Sequence, residues 1–172
     1  YSSSDGFSCD GVYEYYSYSA VTHCAEMVSA VPNSLFPDYQ LGGECLRHSK
    51  PHSAPGFSMI CGVLVAYEPD VEQLHATLKS LAKQVDHLVI VDNGSKQGLA
   101  GFASSEIAVE QLPENVGIAA AQNYGISIAR ARHAEFVVLS DQDTVYPPNT
   151  IARLLDVFKR WPEAAAVVPL FN

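Results

Sequence analysis

The sequence predicts an α/β fold with a Rossmann-like, mostly parallel sheet, and three observations lead to this fold class. Short apolar runs such as Phe136–Leu139 are typical of strands that are buried on both faces of a parallel sheet. Segments with apolar residues at helical spacing separate these runs. Polar residues follow the runs directly, at the strand ends where open α/β sheets bind their ligands. This alternation predicts right-handed crossover connections.

Composition and charge narrow the class of protein. The 172 residues are enough for one domain with a substantial core. A formal net charge of −9, without a basic stripe, argues against nucleic acid as a partner. No apolar run is long enough to cross a membrane, and no signal peptide is visible. The four cysteines form no C-x-x-C pair or zinc pattern, which favours a reduced, cytoplasmic compartment.

The chain divides near residue 57. Residues 1–57 hold six of the nine tyrosines and three of the four cysteines, and they offer no site chemistry. Residues 20–31 are compatible with a short helix, but we otherwise expect a poorly ordered extension, a linker or part of a neighbouring unit. Residues 58–172 carry the alternating pattern. Because residue 1 is Tyr rather than Met, we expect a piece of a longer product.

The first half of the domain predicts two strands and one helix. An apolar run over 59–66 predicts the first strand, which ends before Tyr67-Glu68-Pro69-Asp70. Asp70 with Gln73 resembles a capping box at the start of a helix. The second strand, over 87–91, ends in the turn signal Asp92-Asn93-Gly94-Ser95. The apolar face predicted for the helix consists of Val71, Leu74, Leu78 and Leu81.

The second half predicts three more strands and two helices. Residues 98–105 indicate a loop or a weak helix. The third, fourth and fifth strands are predicted over 107–112, 136–140 and 165–170. Helices are predicted after Asn115-Val116-Gly117 and over 147–160. Gly125 costs a helix roughly 1 kcal/mol, which a close packing contact would justify. The predicted apolar faces are Ile118, Ala121, Gly125 and Ile128 in one helix, and Ile151, Leu154, Leu155 and Phe158 in the other.

Two aspartates after the fourth strand form the main candidate site. Asp141 and Asp143 are one residue apart, so in extended chain both carboxylates point the same way and can face one cation. Mg²⁺ takes oxygen ligands and is often held by one or two carboxylates together with substrate phosphates. An Asp-rich turn that satisfies its own backbone explains this stretch alone equally well.

Polar groups at the other strand ends extend the candidate site. A carboxylate at Asp92 can accept a hydrogen bond from a base N–H or a ribose hydroxyl, while the aspartate pair holds a cation against a diphosphate. The sequence has neither G-x-G-x-x-G in the first strand–helix turn nor G-x-x-x-x-G-K-[ST], which argues against a dinucleotide oxidoreductase and a P-loop NTPase. Each segment alone is compatible with a plain turn, but their joint location favours a nucleotide-diphosphate pocket.

Four motifs in this order resemble the donor-binding half of a family-2 glycosyltransferase with the GT-A fold, close to the rhamnosyltransferase branch. The motifs are Val65–Asp70, Val91–Ser95, Asn115–Gly125 and Leu139–Asp143, and the resemblance covers about residues 59–170. It implies that residues 58–172 are the nucleotide-sugar-binding half of a GT-A domain that is incomplete at its C-terminus. Ala66 stands where the family often has Thr, and Glu68 where it often has Asn.

The resemblance also implies an activity. A sugar, with dTDP-rhamnose as the best donor, would move with inversion to a hydroxyl of a cell-surface polysaccharide or its lipid-linked precursor. Mg²⁺ or Mn²⁺ would bind Asp141 and Asp143. The protein would be cytoplasmic, with peripheral association of the full-length product at the inner face of the membrane. The implied donor-binding residues are Ala66, Tyr67, Glu68, Asp92, Asn115, Gly117, Asn123, Asp141 and Gln142.

The catalytic base is not among the motifs. An inverting displacement needs a general base within hydrogen-bond reach of the acceptor hydroxyl. The resemblance implies a carboxylate well beyond the Asp-x-Asp segment, and the acidic residues after Asp143 are Asp156 and Glu163, late in or after the last helix. We therefore expect the base beyond residue 172, and a chain that binds donor without efficient transfer.

Two alternative functions are weighed against sugar transfer. Residues 137–144 also fit the hhhh-D-x-D-x-T motif of haloacid-dehalogenase-type phosphatases, with Asp141 as the covalent nucleophile and Asp143 as the general acid. That family carries the motif on the first strand of its domain, whereas here it falls on the fourth predicted strand. The second alternative is a non-catalytic nucleotide-sugar-binding module or an inactive fragment.

Overall fold

In the part of the chain that the structure describes, six short strands form one sheet and three α-helices pack with it. A computed structural model describes residues 20–23, as backbone only, and residues 58–169. The order of elements is β1 (Ala20–His23), β2 (Ile60–Ala66), α1 (Val71–Leu81), β3 (His87–Asp92), a 3₁₀ turn (Ala100–Phe102), β4 (Ile107–Gln111), α2 (Ile118–Ala131), β5 (Phe136–Ser140), α3 (Thr150–Arg160) and β6 (Ala166–Val167).

The strand pairing confirms the predicted α/β fold. Among the described residues the sheet has the order β4-β3-β2-β5-β1-β6, and β2, β3, β4 and β5 are mutually parallel. Ala66 at the end of β2 lies opposite Asp92 at the end of β3, while Leu64 of β2 lies opposite Ser140 at the end of β5. The carboxyl ends of these three strands therefore form one continuous edge.

Helices cover both faces of the parallel strands. Alternate residues of a strand point to opposite faces, so Leu64 and Val63 enter different cores. The core that contains Leu64 is completed by α1 and α3, and the core that contains Val63 is completed by α2. This three-layer arrangement explains why the central strands consist almost entirely of apolar residues. The helix residues in the apolar cores are Leu74, Leu78, Leu81, Ile151, Leu154 and Phe158 on the first face and Ala121, Ile126, Ile128 and Ala129 on the second.

The predicted apolar faces are correct except at the first residues of two helices. Val71 and Ile118 are 52% and 53% exposed. Each is the first residue of its helix, and the buried residues of both helices begin one turn later, at Leu74 and Ala121. The packing reason inferred for Gly125 is confirmed, because a Cβ atom there would overlap Val63 Cγ1.

Helix boundaries follow local chemistry. Asp70 caps α1 as predicted, because its Oδ1 accepts hydrogen bonds from the N–H groups of Glu72 and Gln73 at 2.9 and 3.0 Å. The predicted start of the last helix at residue 147 is wrong. Helix α3 begins at Thr150, after a turn in which Asn149 has a left-handed φ of 64°. The predicted strand over 165–170 is only Ala166–Val167 in the described chain, which ends before residue 170.

The segment Ala20–His23 corrects the helix predicted over residues 20–31. These four residues form β1, which pairs antiparallel with β5 from Ala20 opposite Leu139 to His23 opposite Phe136. The free edge of β5 supplies backbone partners that no local helical pattern reveals. This part of residues 1–57 therefore belongs to the sheet, while the remainder, including 24–31, lies outside the described residues. Within the described part of the chain, every helix is too short or too polar to cross a membrane.

Candidate functional site

The candidate site lies along the carboxyl edge of β2, β3 and β5. Ala66 and Asp92 are the last residues of β2 and β3, and the Asp-Gln-Asp segment follows β5 directly. Because neighbouring strands lie about 4.8 Å apart, Asp92 and Asp141 flank the end of β2 at a separation of roughly 10 Å between their strands. Tyr67 extends from the end of the strand between them, with 47% of its surface exposed.

Asp92 is a buried carboxylate with unused acceptor capacity. Its surface is 0% exposed, and its Oδ1 accepts a hydrogen bond from the N–H of Ser95 at 2.9 Å. Its Oδ2 is also buried and has no hydrogen-bond partner among the described residues. Burying a carboxylate oxygen without a donor is costly, so this oxygen has the capacity to accept a further hydrogen bond.

Glu68 connects the loop after β2 to the loop after β3. Its N–H donates to the Ser95 hydroxyl at 3.0 Å, and its Oε1 accepts from the N–H of Lys96 at 3.1 Å. Its φ of 44° is left-handed, a conformation that costs a non-glycine residue on the order of 1–3 kcal/mol. These two hydrogen bonds offset that strain. Within the chain, Glu68 therefore joins the loop after β2 to the loop after β3.

Asn93 joins the loop after β3 to the segment before α2, and the sequence pattern did not single it out as a site residue. Its Nδ2 donates to Asn115 Oδ1 at 3.1 Å, and its Oδ1 accepts from the N–H of Val116 at 3.0 Å. Asn115 Oδ1 also accepts from the N–H of Gly117 at 2.9 Å. Gly117, rather than Asn115, is the N-cap residue of α2. The side-chain oxygen of Asn115 is therefore occupied by hydrogen bonds within the protein, one of them from the Asn93 side chain.

The position of Gly94 explains how closely these two loops approach. Its φ is 82°, and a Cβ atom there would lie 2.5 Å from the carbonyl carbon of Glu114. Only glycine accommodates both the left-handed backbone and this contact. A cleft of about 450 Å³ opens between the two loops, lined by Gly94, Ser95, Gln111, Leu112 and Pro113.

The Asp-Gln-Asp segment is fixed at its central residue. Gln142 Oε1 accepts from the N–H of Tyr67 at 2.8 Å, and the Gln142 carbonyl accepts from the Thr77 hydroxyl at 3.1 Å. The Ser140 hydroxyl donates to the Asp141 carbonyl at 2.9 Å. Asp141 is half-buried and Asp143 is exposed. Gln142, predicted as a donor-binding residue, thus uses its amide oxygen to hold the loop after β2.

Asp141 and Asp143 are the two carboxylates at the end of β5. The described residues contain no group of three or more His, Cys, Asp or Glu side chains that could hold a metal ion. Mg²⁺ usually keeps several waters and binds one or two carboxylates plus substrate phosphates, so two carboxylates at an accessible strand end meet that requirement. Asn123 lies in the second turn of α2, and none of the hydrogen bonds described above joins it to the other candidate residues.

Comparison with known proteins identifies the family. The model for glycosyl transferase family 2 matches residues 63–171, well over half of the chain. The chain belongs to glycosyl transferase family 2. Its resemblance to that family and its α/β fold of the GT-A type are thereby confirmed. A dTDP-rhamnosyl transferase of Shigella flexneri, RfbF, is 35% identical over 91 residues.

The similarity to RfbF covers part of each protein. The aligned residues make up 51% of this chain and 30% of RfbF. The region of this chain that matches the family model includes the carboxyl ends of β2, β3 and β5. It therefore contains Asp92, Asp141 and Asp143. Membership in the family supports sugar transfer over the phosphatase interpretation of the Asp-Gln-Asp segment.

Proposed function

We propose that this chain is the donor-binding part of an enzyme that transfers rhamnose from dTDP-rhamnose to a hydroxyl of a cell-surface polysaccharide precursor. The transfer inverts the anomeric centre and requires Mg²⁺ or Mn²⁺. The acceptor is a polysaccharide chain or its lipid-linked precursor, reached from the cytoplasm by peripheral association with the inner face of the membrane. Family membership and the name of the relative RfbF support the reaction class and the choice of donor.

The observation that carries the proposal is the unpaired Oδ2 of Asp92. It is a buried acceptor and needs an N–H or O–H donor from a ligand. The ring N–H of a thymine base supplies one such donor, and a ribose-type hydroxyl is the other candidate. Tyr67, at the end of the adjacent strand, offers an exposed aromatic ring beside this position. Both features favour a nucleoside at the ends of β2 and β3.

The spacing of the strand ends suits a nucleoside diphosphate. With the base at β3, the phosphates reach the end of β5, roughly 10 Å away across β2. There Asp143 is the principal cation ligand, and Asp141 lies nearer the sugar or shares the ion. When bound, the cation acts as a Lewis acid that neutralises charge on the departing diphosphate. Ala66, Asn115, Gly117 and Asn123 are assigned to the donor pocket on the family resemblance alone.

The general base is assigned to a part of the enzyme outside these residues. In a β–α–β unit the helix runs back across the sheet, so the end of α3 lies toward the edge opposite the site. Asp156 is paired there with Lys159 Nζ at 2.8 Å, and the hydrogen bond from Lys159 lowers the pKa of this carboxyl. Glu163 follows the end of α3. Neither carboxylate is suited to take a proton from an acceptor at the carboxyl edge.

Calorimetric titration with dTDP tests the proposal. The protein should bind dTDP, and binding should tighten when Mn²⁺ is present, because the cation bridges the diphosphate and the aspartates. It should not hydrolyse p-nitrophenyl phosphate. Absence of dTDP binding under both conditions would overturn the proposed donor site. Hydrolysis of p-nitrophenyl phosphate that is lost in Asp141→Asn would instead favour the phosphatase.

A further inference from the structure

Three polar side chains on and just after α1 contact the loop that carries the aspartate pair. They are Thr77, Ser80 and Gln84, spaced three and four residues apart and therefore close to one face of the helical path. Their partners lie in the β5–α3 loop, defined as residues 141–149, and at the start of α3. A helix that packs on a sheet normally presents apolar side chains, so this row requires a specific explanation.

Thr77 is the contact nearest the aspartates. Its surface is 0% exposed, and its hydroxyl lies 3.1 Å from the Gln142 carbonyl and also 3.1 Å from the Gln73 carbonyl one turn earlier. A helical threonine often donates to the carbonyl four residues before it. Here the single hydroxyl proton serves a second acceptor equally close, across 65 residues of sequence. The Gln142 carbonyl is thereby held against α1.

Ser80 and Gln84 hold the rest of the same loop. The Ser80 hydroxyl accepts from the N–H of Tyr146 at 3.0 Å. Gln84 Nε2 donates to the Pro147 carbonyl at 3.1 Å, and its Oε1 accepts from the N–H of Ile151 at 3.3 Å. Four backbone groups between Gln142 and Ile151 therefore form hydrogen bonds with side chains of one helical segment.

Gln142 is held from a second direction by the loop after β2. Its side-chain oxygen accepts from the N–H of Tyr67 at 2.8 Å, while its main-chain oxygen faces Thr77. Fixing both oxygens of the central residue restricts the backbone on either side of it. The directions of the Asp141 and Asp143 side chains follow from that backbone.

We propose that Thr77 is a positioning residue for the cation site, acting through the Gln142 carbonyl to set the arrangement of Asp141 and Asp143. Ser80 supports the same loop further along. The inference rests on the proposed cation-dependent donor binding. Mg²⁺ demands near-octahedral geometry and has few protein ligands in such sites, so the placement of each carboxylate determines affinity. A loop that is already ordered pays less entropy when the cation binds.

The test compares substitutions at Thr77 with a matched control on the same helix. Thr77→Val has nearly the same shape but no hydroxyl, and Thr77→Ser restores the donor. Leu81→Val alters a fully buried residue of α1 that belongs to the core cluster on that face. Each variant is titrated with dTDP in the presence of Mn²⁺ and again in the presence of EDTA, and its thermal melt is recorded.

If Thr77 is a positioning residue, its substitution should change dTDP affinity in the titration with Mn²⁺ but not in the titration with EDTA. Thr77→Val should weaken Mn²⁺-dependent dTDP binding on the order of tenfold, the usual cost of losing an outer partner of a metal ligand. Binding in EDTA should be unchanged, because the proposed base contact, Asp92, is at the end of a different strand, β3. Thr77→Ser should behave as the wild type, and Leu81→Val should lower the melting temperature without changing the effect of Mn²⁺.

Ser80→Ala gives a second test that leaves Thr77 in place, which matters if Thr77→Val does not fold. It releases the N–H of Tyr146, so Mn²⁺-dependent binding should weaken by roughly threefold. Equal Mn²⁺ effects in the wild type, Thr77→Val and Ser80→Ala would overturn the positioning role alone. An equal loss in Thr77→Ser and Leu81→Val would also overturn it. Absence of any Mn²⁺ effect in the wild type would overturn the proposed cation site, and this inference with it.

Discussion

The Asp92 carboxylate accepts a hydrogen bond from the N–H of Ser95 through Oδ1, at 2.9 Å, and keeps its second oxygen buried without a partner in the described chain. A group left in this state lowers the stability of the free protein and is available to a ligand. The relationship is local, since the two partners are three positions apart in the sequence, and the open acceptor is at the end of β3.

The first prediction is that Asp92→Asn separates binding from stability. The Asn oxygen can still accept from the N–H of Ser95, but the buried charge is gone, so the free energy of unfolding should not fall. Affinity for dTDP should fall by at least about tenfold, because a hydrogen bond to a charged acceptor is lost. Urea denaturation and calorimetry measure the two quantities.

Asp86→Asn is the matched control for Asp92. Asp86 accepts from the N–H of Ile60 at the opposite edge of the sheet. Its replacement should leave dTDP affinity unchanged. A dTDP affinity in Asp92→Asn equal to that of the wild type would show that the buried oxygen does not contact the donor.

The central part of the fold could be predicted from sequence because its signals are local. The apolar run of β5 and the spacing of Leu74, Leu78 and Leu81 report burial directly, residue by residue. β1 could not be predicted, because its partner β5 lies more than a hundred residues away and decides the structure of the segment. The exposure of Val71 and Ile118 was also missed, since periodicity does not show at which residue of a helix burial begins.

The site was predictable to the extent that it depends on strand ends. Asp92 and Asp141 follow apolar runs, and parallel strands bring such positions to one edge. Thr77 and Asn93 could not be found in this way, because their partners are on loops that only the folded chain brings near. The sequence likewise does not show that the Gln142 side-chain oxygen accepts a hydrogen bond from the N–H of Tyr67, because that contact forms only in the folded chain.

The second prediction concerns the contact between α2 and the sheet. By helix propensity alone, Gly125→Ala should stabilise α2 by about 1 kcal/mol. It should nevertheless destabilise the protein by about 1–3 kcal/mol, because the new methyl group would overlap Val63 Cγ1 and lie 3.1 Å from Val91 Cγ2. Chemical denaturation gives the difference in free energy of unfolding.

Gly101→Ala is the control for this substitution, since in the described chain only its adjacent residues and local helix backbone could lie within 4 Å of the added Cβ. It should change the free energy of unfolding by less than about 0.5 kcal/mol. If Gly125→Ala is as stable as the wild type, α2 must shift easily on the sheet, and close packing is not the reason for the glycine.

The third prediction concerns pH and arises at the edge of the sheet opposite the site. Burial lowers the pKa of His87, the first residue of β3, below its ordinary value of 6.5, and Arg132 lowers it further, while Asp86 and Glu106 act in the other direction. The Nδ1 atom of His87 is buried without a hydrogen-bond partner in the described chain. The folded state therefore binds this proton less readily than the unfolded state.

Stability should consequently decline as the pH falls below about 6.5, through the lowered pKa of His87, because the unfolded chain gains a proton that the folded chain does not. His87→Gln should reduce this decline when urea midpoints are measured between about pH 5 and pH 7.5. His75→Gln, at an exposed position of α1, should keep the wild-type profile. Identical profiles in the wild type and His87→Gln would exclude His87 as the source of the decline.

The last prediction concerns the cation ligand itself. Asp143 is exposed at the end of the loop segment that Thr77 and Gln142 hold, so its carboxylate adds little to the stability of the fold. Asp143→Asn should leave the thermal melt nearly unchanged but weaken Mn²⁺-dependent dTDP binding by at least about tenfold, because a neutral amide is a much poorer ligand for a hard cation. Asp156→Asn, at another exposed aspartate, should bind as the wild type does. Calorimetry with and without Mn²⁺ decides the matter. If the wild type and Asp143→Asn both show the same dTDP affinity in Mn²⁺ as in EDTA, the carboxylate pair does not hold a catalytic cation, and the diphosphate must be neutralised by other groups.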